Sequence, residues 1–172
     1  MGDILTLGWT VRAEPVDGPV ARALLRDYYT EIVGRYHHRP TDDAEIDQVL
    51  ADEPSDDLTP PTGLFLVGWY DGEPAGCAGV RLGDLPYAEV TRVFVRAGAR
   101  RRGGGARLLA AVEEAAAAYG ATTMRLAAPA RPGGGPGAVR QARLPGGAGL
   151  RGLAVRRPLV REAARLTSRG RG

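Results

Sequence analysis

The feature that most constrains this chain is an apolar, strand-like run that leads through an arginine- and glycine-rich turn into a helix. Residues 95–109 read VRAGARRRGGGARLL, and Arg100, Gly103 and Gly105 give an R-x-x-G-x-G spacing. Because glycine lacks a Cβ, the backbone N–H groups of such a turn can close around a phosphate. The helix directs the positive end of its dipole to the same point, and the arginines add charge. The segment therefore predicts a site for a phosphate-bearing ligand.

Two common phosphate-binding motifs do not match this turn. A dinucleotide-binding fingerprint places G-x-G-x-x-G after the first strand, whereas this turn lies past the middle of the chain. A Walker loop requires Gly-Lys followed by Ser or Thr, and the chain contains no lysine. The alternative to a ligand site is a flexible, basic Gly/Arg turn.

The hydrophobic pattern predicts eight elements around the turn. Apolar alternation predicts strands, and a 3.6-residue period predicts helices. Asp71-Gly72 marks a hairpin turn, Gly120 ends a helix, and Thr41 is the predicted N-cap of another. The predicted order is strand 9–13, helix 19–36, a helix from Thr41 to about Ala51, strands 63–70, 74–82 and 87–95, helix 104–119 and strand 122–126.

This order and the turn together resemble the GNAT superfamily of N-acetyltransferases. The pyrophosphate loop of that family reads strand, R/Q-x-x-G-x-G/A, then a helix rich in Leu and Ala. Residues 89–95 (EVTRVFV) are similar to its fourth strand, and residues 107–114 (RLLAAVEE) to its third helix. The resemblance covers about residues 5–127 and implies an α/β fold with a mixed, mostly antiparallel sheet flanked by helices.

The resemblance also implies a cosubstrate and its contacts. Acetyl-CoA would lie along the fourth strand, with its pantetheine arm beside Val93, Phe94 and Val95, and no metal would be needed. Its pyrophosphate would sit on the turn, bound by Arg100, Arg101, Arg102, Gly103, Gly104, Gly105 and Ala106. The implied reaction is direct transfer of an acetyl group to a primary amine of a small molecule or peptide.

Glu89 is the candidate catalytic base. Side chains alternate between the two faces of a strand, and in one of the two possible alternations Glu89 would face the cleft. The alternative is a surface glutamate paired with Arg81 or Arg92. The family's usual acid toward the CoA thiolate is the tyrosine of E-A-x-x-L-Y. In this chain the Val139-Arg140 region takes that place, and it cannot donate the proton.

The first helix usually lines the acceptor side in this family. Asp27, Tyr28, Glu31 and Tyr36 are therefore candidates to meet an amine, the alternative being ordinary helix surface. The pattern does not identify the acceptor or the oligomeric state.

Composition indicates a cytoplasmic protein without a membrane span. No apolar run reaches 18 residues, and the N-terminus lacks the pattern of a signal peptide. Cys77 is the single cysteine, so it cannot form an internal disulfide, which fits a reducing compartment. We interpret Cys77 as a small core residue.

The formal charge of +3 is unevenly distributed. Residues 1–127 hold 13 Arg against 19 Asp plus Glu, whereas residues 128–172 hold 10 Arg against Glu162 alone. Residues 127–150 are dominated by Ala, Gly, Pro and Arg and show no strand pattern. We therefore divide the chain into an incomplete acetyltransferase domain, 3–127, and a basic tail, 128–172. The tail is expected to be disordered or weakly helical, with a short helix near 159–166, and to lack the family's C-terminal helix and strands.

The tail also has the composition of a GC-rich gene read out of frame. From Ala127 to Leu166, every residue type can be encoded by a codon beginning with G or C. Types that cannot be so encoded make up 26 of residues 1–126. If the codons from Arg131 onward are read one base later, they can encode a sequence that contains E-A-R-A-L-Y, followed by two strand-like segments rich in aromatic residues. This sequence resembles the family's C-terminus. We infer a frameshift between Ala127 and Arg131.

Three function classes follow from these observations. The first is an acyl-CoA-dependent N-acyltransferase, whose turnover the altered C-terminus could impair. The second is an acyl-CoA-binding protein without turnover, which the missing tyrosine would favour. The third is a nucleic-acid-binding protein that uses the basic tail, but no aromatic residues interleave with the tail arginines to stack bases.

Overall fold

The computed structural model describes residues 8–83, 85–127 and 139–143, the side chains of 127 and 139–143 excepted. Within these residues one six-stranded sheet has the order β1-β2-β3-β4-β5-β6 and carries helices on both faces. The elements in chain order are β1 Trp9–Ala13, α1 Pro19–His37, α2 Asp43–Asp52, β2 Gly63–Tyr70, β3 Glu73–Arg81, β4 Tyr87–Val95, α3 Gly104–Ala118, β5 Thr123–Ala127 and β6 Val139–Arg143. The α/β fold class predicted from the sequence is confirmed.

The sheet is antiparallel except between β4 and β5, which run parallel. Their pairing covers four positions and ends where Val90 faces Leu126. Beyond Val90, β4 continues for five residues without pairing to β5 in the described chain. The two strands are therefore paired only along the N-terminal part of β4.

Each face of the sheet covers its own hydrophobic core. Leu108, Leu109 and Val112 of α3 pack on one face, and α1 and α2 cover the other with residues such as Leu24 and Ile46. Each fully buried side chain of this kind stabilises the fold by about 1.5–3 kcal/mol. Helices therefore pack against β4 from both faces of the sheet, and the start of α3 packs against one of these faces.

Cys77 lies fully buried in the core on the α1 face. Burial disfavours the thiolate and raises the pKa of its thiol. Its Sγ lies 3.4 Å from the carbonyl oxygen of Arg92, as a weak donor. The interpretation of Cys77 as a core residue is confirmed.

The start of α2 differs from the sequence prediction by one residue. Asp42, not Thr41, is the N-cap, and its Oδ1 accepts the backbone N–H of Glu45 at 2.8 Å. Both residue types serve as caps, but a carboxylate also interacts favourably with the positive end of the helix dipole. At the other predicted boundary, α3 ends as expected, with Gly120 at φ +94°.

Strand β6 corrects the expectation that no strand follows Ala127. Val139–Arg143 pairs antiparallel with β5, with Val139 opposite Ala127 and Arg143 opposite Thr123. Backbone pairing of an open sheet edge requires no particular side chains. Residues 138–144 are the longest run between 128 and 150 without Gly or Pro, which is why this part of the tail is able to pair. The helix expected near 159–166 lies outside the described residues.

No helix in the described part of the chain is both long enough and apolar enough to cross a membrane.

Candidate functional site

A β-bulge in β4 lies just beyond the last residue that pairs with β5. Cys77 of β3 faces Phe94 of β4, and Gly79 faces Thr91, so β4 spends three steps where β3 spends two. Arg92, within this stretch, has φ +53°. Bulges bend a strand and increase its local twist. The pairing with β5 ends at Val90, immediately before this point.

The Arg92 side chain anchors the bulge to the α1 face. It is fully buried, and its Nε donates to Ser55 Oγ at 3.3 Å. Its Nη1 donates to Thr91 Oγ1 at 3.2 Å, and the guanidinium lies 5.4 Å from the centre of the Tyr29 ring. A buried guanidinium needs such partners, because its desolvation is costly. The bulge is therefore held by specific contacts.

The last three residues of β4 pack into both cores. Val93 and Val95 pack into the core beneath α3, whereas Phe94 packs into the core beneath α1. The Phe94 ring lies 6.2 Å from the Tyr28 ring in an edge-to-face arrangement. The side chains of these three residues are thus divided between the two faces of the sheet.

The glycine-rich turn has the conformation that its sequence predicts. Arg101 and Gly103 have φ values of +63° and +81°, so the chain turns sharply before α3 begins at Gly104. The N-cap residue Gly103 provides no side-chain hydrogen bond to the helix. The first N–H groups of α3 consequently point out of the helix end, where an anion can accept them.

Two of the three turn arginines are held by the protein. Arg100 donates through Nε to the carbonyl oxygen of Val95 at 2.8 Å, and through Nη2 to the Glu31 carboxylate. Arg102 donates through Nη1 to the Tyr70 hydroxyl at 3.0 Å. Arg101 is exposed to solvent. The sequence suggested three phosphate-facing arginines, whereas the structure shows Arg100 and Arg102 as anchors of the turn.

Gly104 has a packing role that its place in the motif did not reveal. A Cβ at this position would lie 2.2 Å from Cζ2 of Trp9, a distance at which something must shift. Trp9 and Tyr70 therefore support the turn, although neither was predicted from the sequence to belong to the site. Motif spacing carries no information about an indole that comes from a strand 95 positions earlier in the chain.

Glu89 is paired with Arg81. Its side chain is 53% exposed, and Oε1 accepts Arg81 Nη1 at 3.1 Å. Arg81 also donates through Nε to Asp57. In register, Glu89 lies between Arg81 on β3 and Arg125 on β5. The ion pair with Arg81 is one of the two contacts that the sequence allowed for a surface glutamate.

The candidate acceptor residues of α1 are mostly engaged in packing or ion pairs. Tyr28 is fully buried, and burial raises the pKa of its hydroxyl. Asp27 accepts Arg96 Nε at 2.7 Å, and Glu31 pairs with Arg100. Tyr36 is 39% exposed. Of the four residues, Tyr36 is the most accessible to a second substrate.

The described residues hold no group of three or more His, Cys, Asp or Glu side chains arranged to bind a metal ion.

Comparison with known proteins relates this geometry to one family. Residues 20–132 match the model of the acetyltransferase (GNAT) family. A sequence search of curated proteins found no match.

Several solved structures share the fold. A GNAT-family acetyltransferase from Staphylococcus aureus superimposes with a TM-score of 0.54 at 16% identity, covering 70% of this chain and 74% of that one. The PaiA N-acetyltransferase of Thermoplasma acidophilum, solved with coenzyme A, gives 0.56 at 13% identity, covering 80% and 99%. Aminoglycoside 6′-acetyltransferase type Ii gives 0.51 at 18% identity, covering 69% and 71%.

Proposed function

This chain belongs to the GNAT family of acetyltransferases, and we propose that it transfers the acetyl group of acetyl-CoA to a primary amine of a small molecule or peptide. The observation that carries the proposal is the start of α3. Gly103, at φ +81°, turns the chain immediately before α3, and the first N–H groups of the helix have no side-chain cap. Such N–H groups can bind a pyrophosphate at a site where Arg100 and Arg102 are already hydrogen-bonded to the protein.

The donor would occupy the turn and the end of β4. In this proposal the N–H groups of 101–106 bind the pyrophosphate, and the main chain of Val93, Phe94 and Val95 lies beside the pantetheine arm. The likeness in fold to a structure that contains coenzyme A supports this placement. Arg100 contributes by fixing the turn, since its guanidinium is already bound to Glu31 and Val95.

The reaction requires one proton to leave the amine and one to reach the sulfur. The neutral amine nitrogen forms a bond to the thioester carbonyl carbon and gives up one proton to a base, and the C–S bond breaks to release CoA thiolate, which takes up a proton from an acid or from water. Glu89 is our candidate for the base, directly or through a water molecule. To accept the proton, its carboxylate would have to exchange the Arg81 hydrogen bond for the amine or the water.

The ion pair between Arg81 and Glu89 favours a second candidate function, binding of acyl-CoA without turnover, because it occupies the carboxylate of the candidate base. The residues that stand in place of the family's tyrosine acid, Val139 and Arg140, belong to β6. Neither side chain supplies a proton to a thiolate near neutral pH. A protein with this donor site and no acid would bind acetyl-CoA and release the thiol slowly.

Thiol release separates the two functions. The purified chain is incubated with acetyl-CoA and a panel of amines comprising a polyamine, an aminoglycoside and a peptide α-amine, and free CoA is titrated. Turnover with one amine supports the transferase, and Glu89→Gln should then lower kcat by about 10²–10⁴-fold. Glu114→Gln, the same change at an exposed position of α3, is the matched control. Stabilisation by CoA without thiol release supports the binder, and no interaction with CoA contradicts both.

For the C-terminal region we propose that the acetyltransferase domain comprises 3–127 and that 128–172 results from an altered reading frame. The family match ends at residue 132, close to the change in composition. Sequencing the source DNA across the codons of 122–140 tests this. One nucleotide fewer would restore the tyrosine-containing C-terminus, and an unchanged sequence would establish the basic tail as genuine.

A further inference from the structure

We propose that Trp9, in the first strand, is a positioning residue for the donor site, because it sets where α3 begins and hence where its N–H groups meet the phosphates. This inference rests on the proposed function, since it assumes that the glycine-rich turn binds the CoA pyrophosphate. Trp9 itself would not touch the ligand.

The indole of Trp9 fills the space between the sheet and the first turn of α3. On the sheet side, a Cβ at Gly68 would lie 3.0 Å from Cζ3 of the ring. On the helix side, a Cβ at Gly104 would lie 2.2 Å from Cζ2 and 2.4 Å from Cη2. Since both neighbours are glycines, the ring touches backbone on both sides. The distance from the sheet to the helix start is therefore set by the ring.

Tyr70 extends this support to the other side of Gly103. It is the cross-strand partner of Trp9, and the two ring centres lie 5.4 Å apart. Its hydroxyl accepts Nη1 of Arg102, whose guanidinium lies 5.1 Å from the ring centre. Arg102 precedes Gly103 and Gly104 follows it, so the aromatic pair holds both flanks of the turn.

Shape, not hydrogen bonding, explains the presence of an indole here. The Nε1 atom of Trp9 is buried and has no hydrogen-bond partner among the described residues. A buried donor left unpaired costs on the order of 1–3 kcal/mol, so the ring must contribute through its volume. That volume is placed against the backbone at Gly104, which no smaller side chain would reach.

Trp69 provides a matched control on the opposite face of the same sheet. Its indole Nε1 is also buried without a hydrogen-bond partner among the described residues. Its ring packs against the core beneath α1 and under the guanidinium of Arg12, at 4.3 Å. Truncating Trp69 removes the same side chain from the sheet but leaves the contact at Gly104 in place.

The test measures the affinities of the full chain for CoA and for pantetheine, which has the arm but no phosphates. We expect Trp9→Ala and Gly104→Ala each to raise the Kd for CoA about tenfold or more, because displacement of the N–H groups by a fraction of an ångström weakens phosphate binding. The Kd for pantetheine should stay constant. Trp9→Phe, which removes the unpaired donor but whose smaller ring does not reach Gly104, should raise the Kd for CoA about as much as Trp9→Ala.

A double variant distinguishes direct contact from general damage. Trp9→Ala combined with Gly104→Ala should bind CoA more tightly than Gly104→Ala alone, because the added methyl group enters the space that the indole leaves. Trp69→Ala should lower the Tm while leaving the Kd for CoA unchanged. A Tm is recorded for every variant, so that loss of folding is seen directly.

The inference is overturned if Trp9→Ala and Trp69→Ala change the Kd for CoA equally, if pantetheine weakens in parallel with CoA, or if the double variant shows no rescue. Failure of the proposed function has a different signature, since the parent chain itself would then not bind CoA.

Discussion

At the scale of single residues, adjacent glycines of the turn have different roles. Gly103 has φ +81°, and a Cβ added there would meet nothing within 4 Å, so its requirement is conformational. Gly104 has an ordinary helical conformation but faces the Trp9 ring, so its requirement is steric. The R-x-x-G-x-G spacing predicted a turn of glycines without Cβ atoms, and the structure adds the left-handed conformation of Gly103. The steric role of Gly104 depends on a contact between distant parts of the chain, which spacing alone cannot reveal.

Replacing Gly103 with alanine should weaken CoA binding by its effect on the backbone. A left-handed conformation costs a non-glycine residue about 1–2 kcal/mol, and relaxing it turns the N–H groups away from the phosphates. Gly120→Ala is the control, since Gly120 has φ +94° and open space at the other end of α3. Titration with CoA should show a raised Kd for Gly103→Ala alone. Equal affinities of the two variants would refute a role for the turn.

Buried tyrosine hydroxyls and a buried thiol on the α1 face should make the protein less stable at alkaline pH. Burial raises the pKa of Tyr29 from 10.0 to about 12 and also raises those of Tyr28 and Cys77. Since the unfolded chain releases these protons first, stability is complete below about pH 9 and is lost as pH rises toward 12. Tyr29→Phe should reduce this loss by on the order of 2 kcal/mol in denaturant titrations at about pH 8 and pH 11.5. Parallel pH curves for parent and variant would contradict the assignment.

At the scale of elements, α1 is joined to the donor turn by two ion pairs. Asp27 and Glu31 lie one helical turn apart and bind Arg96 and Arg100 respectively, one on each side of the 3-10 turn at Ala97–Ala99. Of these two arginines, only Arg100 was expected to contact phosphate, and it connects α1 to the glycine-rich turn. Hydrophobic periodicity located these elements within one or two residues but could not show which charges meet.

Breaking the ion pair between Glu31 and Arg100 should weaken the attachment of the glycine-rich turn to α1. Glu31→Gln and Arg100→Gln should each weaken CoA binding, and the double variant should be less impaired than their sum, with a coupling of about 0.5–1 kcal/mol. The exposed pair of Arg26 and Asp47 on α1 and α2 serves as the control. Additive effects of Glu31→Gln and Arg100→Gln on the Kd would show that the pair does not act as a unit.

At the scale of the whole molecule, the sequence predicted the fold, and the donor site that it suggested stays a prediction. Strands β1, β2 and β4 match their predicted limits because their apolar patterns are bounded by clear turn signals. The bulge at Arg92 was not predicted, since it depends on register with β3. Strand β6 was not predicted because its side chains carry no strand pattern and its pairing depends on the open edge of β5.

The acceptor half could not be predicted in the same way. In the proposed site the donor is recognised through backbone conformation, and glycines mark that conformation in the sequence. An acceptor is recognised through side chains from separate elements, and of those proposed on α1, Tyr28 is buried and Asp27 and Glu31 are paired with arginines. The identity of the amine therefore requires turnover measurements with a panel of amines.

The most direct test of the central claim is an ¹⁵N–¹H NMR titration of the full chain with acetyl-CoA, following the glycine amides. The N–H signals of Gly103, Gly104 and Gly105 should shift downfield as phosphate oxygens accept them. Those of Gly72 and Gly120, which also lie in turns but away from the helix start, should stay in place. Shifts at Gly72 or Gly120 without shifts at 103–105, or no shifts at saturating acetyl-CoA, would contradict the assignment of the donor site.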